Sequence, residues 1–314
     1  MHPLLNQGPR PKHQYSDNTM SQTAKGILYI ILSAVLFGLM PILVKLTVEG
    51  GSNGLNATFF RGLIGLPIML AVLRLRGIPA TFSASEWKTL SLTFGVGAAV
   101  TITLLYLSYA YIPVGVATSL HFIYPAAVTL AYVLFFKARP KAVVWLALAA
   151  CLAGVFVLGG NISDIGQGLP GIIMALASGL TFTCYFIGLD KTELKYMPFH
   201  KLTFALCLIT SLSCGILGLL TGQLTLELTF QAWVCTVMLS VLTTLGAAGL
   251  LQRGIQLTDG TTAAILSTFE PITSFMFAAA ILGEAITSSQ LLGCGFIVMS
   301  VILLTSSKVK TKSG

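Results

Sequence analysis

Apolar residues run along this chain in long unbroken stretches separated by short polar connections. Ten stretches stand out, at roughly 26–47, 55–74, 89–111, 114–136, 142–160, 168–189, 200–221, 231–252, 261–283 and 288–306. Each is close to the ~20 residues an α-helix needs to cross the hydrocarbon core of a bilayer. The runs are continuous rather than alternating, which excludes a transmembrane β-barrel. Turn signals such as Glu49-Gly50-Gly51-Ser52-Asn53-Gly54 and Gly159-Gly160-Asn161 separate them. The connection Ile112-Pro113-Val114-Gly115 is so short that it predicts a tight helical hairpin. The first run is too long for a signal-peptide core and is read as a retained span. Before it lies a polar, proline-containing segment with Pro3, Pro9 and Pro11, read as a disordered tail over 1–25. Met20 offers an alternative start within that tail.

Composition agrees with the pattern. Of the 314 residues 55% are hydrophobic and only 9% charged, with a mean hydropathy of +0.88. That is too little polar surface to coat a water-soluble globule, so lipid is the expected solvent. The six cysteines, Cys151, Cys184, Cys207, Cys214, Cys235 and Cys294, lie in or beside apolar runs without CxxC spacing and are read as packing residues.

Charge placement fixes the threading. Lysines and arginines collect in the N-terminal tail, in every even-numbered connection and in the basic tail at 307–314, whereas the odd-numbered connections hold none. Lys45 and Arg61 are the exceptions, lying inside runs. By the positive-inside rule both termini are cytoplasmic and the number of crossings is even. The net charge of +8 therefore reports orientation in the membrane, not nucleic-acid binding. Trp87, Trp145 and Trp233 each begin a run, the position of an interfacial anchor.

The chain also resembles itself at a shift of about 145 residues. Gly26, Ser33 and Phe37 fall on Gly171, Ser178 and Phe182; Ala117, Leu120 and Pro125 fall on Ala263, Leu266 and Pro271. Two halves are expected, 26–160 and 168–306, with five spans each. An odd number of spans sends the second half through the membrane upside down, the inverted-repeat plan of secondary transporters.

On these residues the chain resembles the EamA family of the drug/metabolite transporter superfamily. The stretch that carries the likeness is Gly254-Ile255-Gln256-Leu257-Thr258-Asp259-Gly260, then Ala263-Ala264-Ile265-Leu266-Ser267, Glu270-Pro271, Leu282-Gly283-Glu284 and Gln290-Leu291-Leu292-Gly293. Tyr109-Ala110-Tyr111-Ile112-Pro113-Val114-Gly115-Val116-Ala117 echoes it in the first half. The resemblance implies an all-α membrane protein of ten transmembrane helices in two inverted five-helix repeats. It also implies a central pathway lined by spans 1, 3, 4, 6, 8 and 9. Lys137-Ala138-Arg139-Pro140 stands where the family usually has a Gly-Glu pair, so the halves differ chemically.

Candidate chemistry centres on two prolines inside spans. Glu270 precedes Pro271 about nine residues into span 9; a carboxylate at that depth faces protein or a wet cavity. Proton coupling and bracing of a kinked helix are equally good roles for it. His121 and Tyr124 share a face of span 4 before Pro125 and match Ser267 and Glu270 under the repeat. Pro125 and Pro271 free the carbonyls of His121 and Ser267 and are expected helix breaks. Tyr106 with Tyr109, and Phe182 with Tyr185, supply aromatic walls with hydroxyl tips that suit an amino acid or aromatic metabolite. Lys45 is read as snorkelling, Arg61 as structural and paired with a carbonyl or carboxylate, and Asp190 with Lys191 as a solvated cap. Gln252 and Gln256 either line an inner vestibule or face headgroups.

No GxxxxGK[ST] loop, HExxH or nucleophile elbow occurs. No enzyme, metal or cofactor chemistry is therefore expected. The reading is a secondary transporter of the cytoplasmic (inner) membrane, exporting a small organic metabolite such as an amino acid, with protons as a candidate coupling ion. The alternatives are a gated channel or passive facilitator, or a drug efflux carrier.

Overall fold

The computed structural model describes residues 21–109, 111–112, 114–159, 165–283 and 287–310. The tail before Ser21, the last residues from Thr311, Pro113 of the short hairpin and Glu284 of the Gly-Glu pair lie outside them. The described chain is helical throughout. Eight rods are long and apolar enough to cross a membrane: α1 (Gln22–Glu49), α2 (Gly54–Leu75), α3 (Ala84–Ser108), α4 (Val116–Phe136), α6 (Gly168–Lys191), α7 (Phe199–Leu220), α8 (Phe230–Leu257) and α9 (Gly260–Ile281). Two shorter apolar helices, α5 (Ala142–Val157) and α10 (Leu291–Thr305), occupy the remaining apolar stretches. Length and composition thus establish eight of the ten expected crossings among the described residues.

Local signals explain the boundaries. The hydroxyl of Ser21 caps α1, which begins at Gln22 rather than at the expected residue 26. Asn53 caps α2 and Asp259 caps α9, each accepting from a backbone N–H three residues on. At Ser83 a reciprocal capping box with Glu86 starts α3. Gly283 closes α9 with φ +70°, a left-handed conformation that costs an L side chain energy and glycine almost none.

Helices pair across the two halves rather than within them. Ser33 Oγ on α1 donates to Ala247 O on α8 at 2.7 Å, and Thr229 N before α8 donates to Gly50 O after α1 at 3.0 Å. These rods run antiparallel. The hydroxyls of Thr101 and Thr181 meet at 2.7 Å, and Phe94 packs on Tyr185, so α3 and α6 also run antiparallel. The pair α3·α6 is the repeat image of α8·α1. On the axis between them, α2 lies against α7 through Ser211 Oγ to Phe59 O (3.3 Å) and Asn53 Nδ2 to Gln223 O (2.7 Å). Likewise α5 lies against α10 through Ser300 Oγ to Ala147 O (2.6 Å). A Cβ on Gly154 would come within 2.7 Å of Gly293 O, which shows how closely these two backbones approach. Equivalent helices lying antiparallel are what an inverted repeat requires, and the expected inversion is present in the packing.

Three rods are broken. α4 kinks at Phe122–Ile123 before Pro125 and α9 at Thr268–Phe269 before Pro271, as the sequence anticipates. α1 also breaks, at Gly38–Leu39 before Pro41, which the sequence reading did not single out. Its repeat counterpart α6 carries Phe186 instead of proline at that place and continues to Lys191. α3 and α8 each contain a π-helical stretch, Ser91–Val100 and Leu239–Ala247, at repeat-equivalent positions. Such stretches are rare and widen a helix locally.

Candidate functional site

A cavity of about 770 Å³ enters the bundle from the end that carries Glu49 and reaches its middle. Its wall is drawn from α1, α3, α4, α6, α8 and α9, with Arg61 of α2, Leu206 of α7 and Val155 beside them. Among the described residues, none from the opposite end, where α1 begins, lines the cavity. All eight side chains singled out from the sequence as pathway residues line this space: Glu270, His121, Tyr124, Ser267, Tyr106, Tyr109, Phe182 and Tyr185. Pro271 lines it as well, whereas Pro125 is buried behind Tyr124 and acts only on the course of α4.

The two broken helices bring these groups together. Where α4 and α9 lose their regular backbone hydrogen bonds, Tyr124 and Ser267 face each other across the helix contact. Tyr124 is almost fully buried, stacked on Phe186 with its ring edge on Phe182. The His121 ring packs 5.3 Å from Phe182 and 5.5 Å from Tyr124. His121 Nδ1 lies 2.9 Å from Ser178 Oγ, and that hydroxyl donates to Ala175 O at 2.6 Å. A hydroxyl has one proton. With it given to Ala175, Ser178 accepts from His121, so a neutral imidazole carries its proton on Nδ1 and keeps Nε2 as an acceptor. Glu270 is half-buried, and the break in α9 leaves it turned to the cavity. Thr273 Oγ1 lies 2.9 Å from Glu270 O and 3.1 Å from Ala34 O, so its one proton can go to either carbonyl and the hydroxyl sits between α9 and α1 near their breaks. Among the described residues no three His, Cys, Asp or Glu side chains gather into a metal site.

Two charges that the sequence reading placed outside the pathway lie on the cavity. These are Lys45, which stands at its mouth beside Glu49, and Arg61, which stands in its wall. Arg61 was expected to be structural and paired with a carbonyl or carboxylate; its hydrogen-bond partner is the sulfur of Met40, 3.5 Å from Nη1. α2 packs extensively on α7, and its Arg61 reaches the cavity beside Met40, the residue that follows the break at Gly38–Leu39. The proline at 41 was the available sequence signal for this.

The closed end is sealed by polar contacts. Asp190 is not the expected solvated cap but is 3% exposed. It accepts a very short hydrogen bond from Tyr132 of α4, Lys195 Nζ lies 2.6 Å from Oδ1 and Lys191 Nζ 3.2 Å from Oδ2. The Lys191 ammonium also sits over the Tyr132 ring, 4.7 Å from its centre. Tyr132 in turn packs against Gly260 at the start of α9. Gln256 is not in the cavity wall; it is half-buried, and its Nε2 donates to Met197 O at 2.8 Å. Gln252 is wholly buried and accepts from Thr203 at 2.7 Å. Lys201 pairs with Glu86 at 3.5 Å, and the Thr89 hydroxyl bonds to Glu193 at 2.7 Å, which holds that exposed carboxyl below its ordinary range.

Comparison with known proteins gives a consistent picture. A solved crystal structure of a protein shares the fold with a TM-score of 0.80 at 17% identity, over 91% of this chain and 98% of that one. An uncharacterised transporter of Synechocystis is 29% identical over 220 residues, 68% of this chain and 65% of the relative. The chain thus spans a little under two thirds of that relative, and 59% of a Bacillus subtilis transporter that is 25% identical to it. The threonine/homoserine exporter RhtA of Escherichia coli is 26% identical over 82% of this chain and 89% of its own length. The model of the EamA-like transporter family matches residues 24–160 and again 169–306, nearly the whole chain: the protein belongs to that family.

Proposed function

We propose that this protein is a secondary transporter of small polar metabolites of the amino-acid type, working by alternating access of its two inverted halves. The observation that carries the reading is the cavity at the meeting point of the broken helices α4 and α9, walled by aromatic rings and provided with Glu270, His121, Tyr124 and Ser267. Its size suits a drug-sized or smaller solute. The same scaffold in a threonine/homoserine exporter supports an amino acid as the solute and outward movement as the direction. The lysine and arginine pattern supports ten crossings with both termini in the cytoplasm of an inner membrane. With that orientation the cavity opens outward and the Asp190 cluster forms the inner closure.

Glu270 is the coupling group of this reading. A carboxylate at a midplane helix break has few other ways to be neutralised, and a proton is the simplest counter-ion. The test is flux of labelled L-threonine in proteoliposomes under an imposed pH gradient. Wild type accumulates the label along with the gradient, and Glu270→Gln retains counterflow but ignores the gradient. Equal responses in both proteins would remove Glu270 from coupling. Saturating counterflow marks a carrier, and its absence beside rapid passive flux marks a pore.

A further inference from the structure

Arg61 stands in the cavity wall, and among the described residues no carboxylate lies within ion-pair distance of it. Its guanidinium carries five N–H donors. Its hydrogen-bond partner is a thioether sulfur, a weak acceptor. The ion pairs joining Asp190 and Glu86 to lysines lie at the other end of the bundle. A guanidinium inside a membrane span is costly unless it meets an anion or water, and such residues mark the path of a solute. Arg61 reaches the cavity beside the break of α1, because Met40, its contact, follows that break directly. On the other side of that break, Thr273 Oγ1 lies within hydrogen-bond distance of Ala34 O and of the backbone carbonyl of Glu270, and the Glu270 side chain lines the same cavity. Arg61 and Glu270 thus line one cavity, with Lys45 and Glu49 at its mouth.

We propose that Arg61 is the anion receptor of the cavity and grips the carboxylate of the transported solute. This rests on the amino-acid reading above and adds the group that selects for it. The planar fork of arginine matches a carboxylate with two parallel N–H bonds, a geometry that lysine lacks. The acid of Glu270 across the kink favours a solute that is also an amine, so the class is the zwitterionic α-amino acid rather than a simple fatty acid.

The experiment has two arms. In proteoliposomes, labelled L-threonine counterflow is competed by L-threonine and by its methyl ester. Wild type prefers the acid over the ester by roughly 30-fold or more, the size expected when one partner of a desolvated charge pair is removed. Arg61→Gln loses that preference to within about threefold, and Arg61→Lys recovers part of it. An Arg61→Gln protein that elutes and melts as wild type and keeps the full preference overturns the proposal while leaving amino-acid transport intact. The second arm uses wild type alone and needs no transport. Phenylglyoxal modification of Arg61 is read by peptide mass spectrometry with amino and hydroxy acids present, and with their amides. Protection by an acid and not by its amide supports the receptor, even if threonine itself is not carried. No protection by any acid overturns it.

Discussion

Replacing Asp190 by asparagine should loosen the closed end of the bundle without unfolding it. The Asp190 side chain is wholly buried, while the two lysines that hold it are about 30% exposed. Removing one member of a fully buried ion pair costs about 3–5 kcal/mol. Water at the lysines screens part of that, which brings the loss to about 2 kcal/mol. The Tyr132 hydroxyl can still donate to the amide oxygen, so that bond survives. If the cluster exists only while this end is shut, the loss moves the closed-to-open equilibrium by about 30-fold. Hydrogen exchange in lipid nanodiscs reads this directly. Amides in 128–137 and 186–196 should exchange faster by roughly that factor, while α2, α7, α5 and α10 stay protected. Unchanged exchange in those segments, together with a lowered melting temperature, would show that the cluster braces the fold and takes no part in closure.

Other outcomes are equally concrete. Gly154→Val should drive α5 and α10 apart, because its Cβ would lie 2.7 Å from a backbone oxygen that cannot move aside; a fall of several degrees in melting temperature is expected, and none would refute the close approach. Tyr124→Phe removes a hydroxyl but not the rings around it, so the protein should fold normally and lose roughly 10-fold in apparent threonine affinity by counterflow. Cysteines introduced at Arg139 and at Gln223, both exposed at opposite ends of the bundle, should label from opposite sides of sealed vesicles; labelling from one side would break the threading.

Much of this architecture was legible in the sequence because lipid imposes a simple code. Continuous apolar runs marked the helices. Paired prolines marked where α4 and α9 break, and so where His121, Tyr124, Ser267 and Glu270 meet. What escaped was azimuth. A membrane helix is apolar all round, so the pattern does not tell which face of α2 carries Arg61 toward the cavity. Asp190 was misread for a related reason: at a helix end a charged residue looks solvated unless its partner on another helix, here Tyr132, is known. The π-helical stretches of α3 and α8 left no signal, since their residues, such as Leu92 to Val100, are ordinary helix formers in lipid. The break of α1 was marked by Pro41 but has no proline at its repeat image, and the search for symmetry passed over it.

The pairing of α2 with α7 and of α5 with α10 bears on how the chain is made. Each partner is supplied by the other half, so the first five helices leave the ribosome with their contact faces still turned to acyl chains. Ala147 and Gly154 are then sheathed by lipid until Ile297 and Ser300 arrive. Maturation therefore waits on α10, and a product stopped after the first half is an unfinished surface rather than a small transporter.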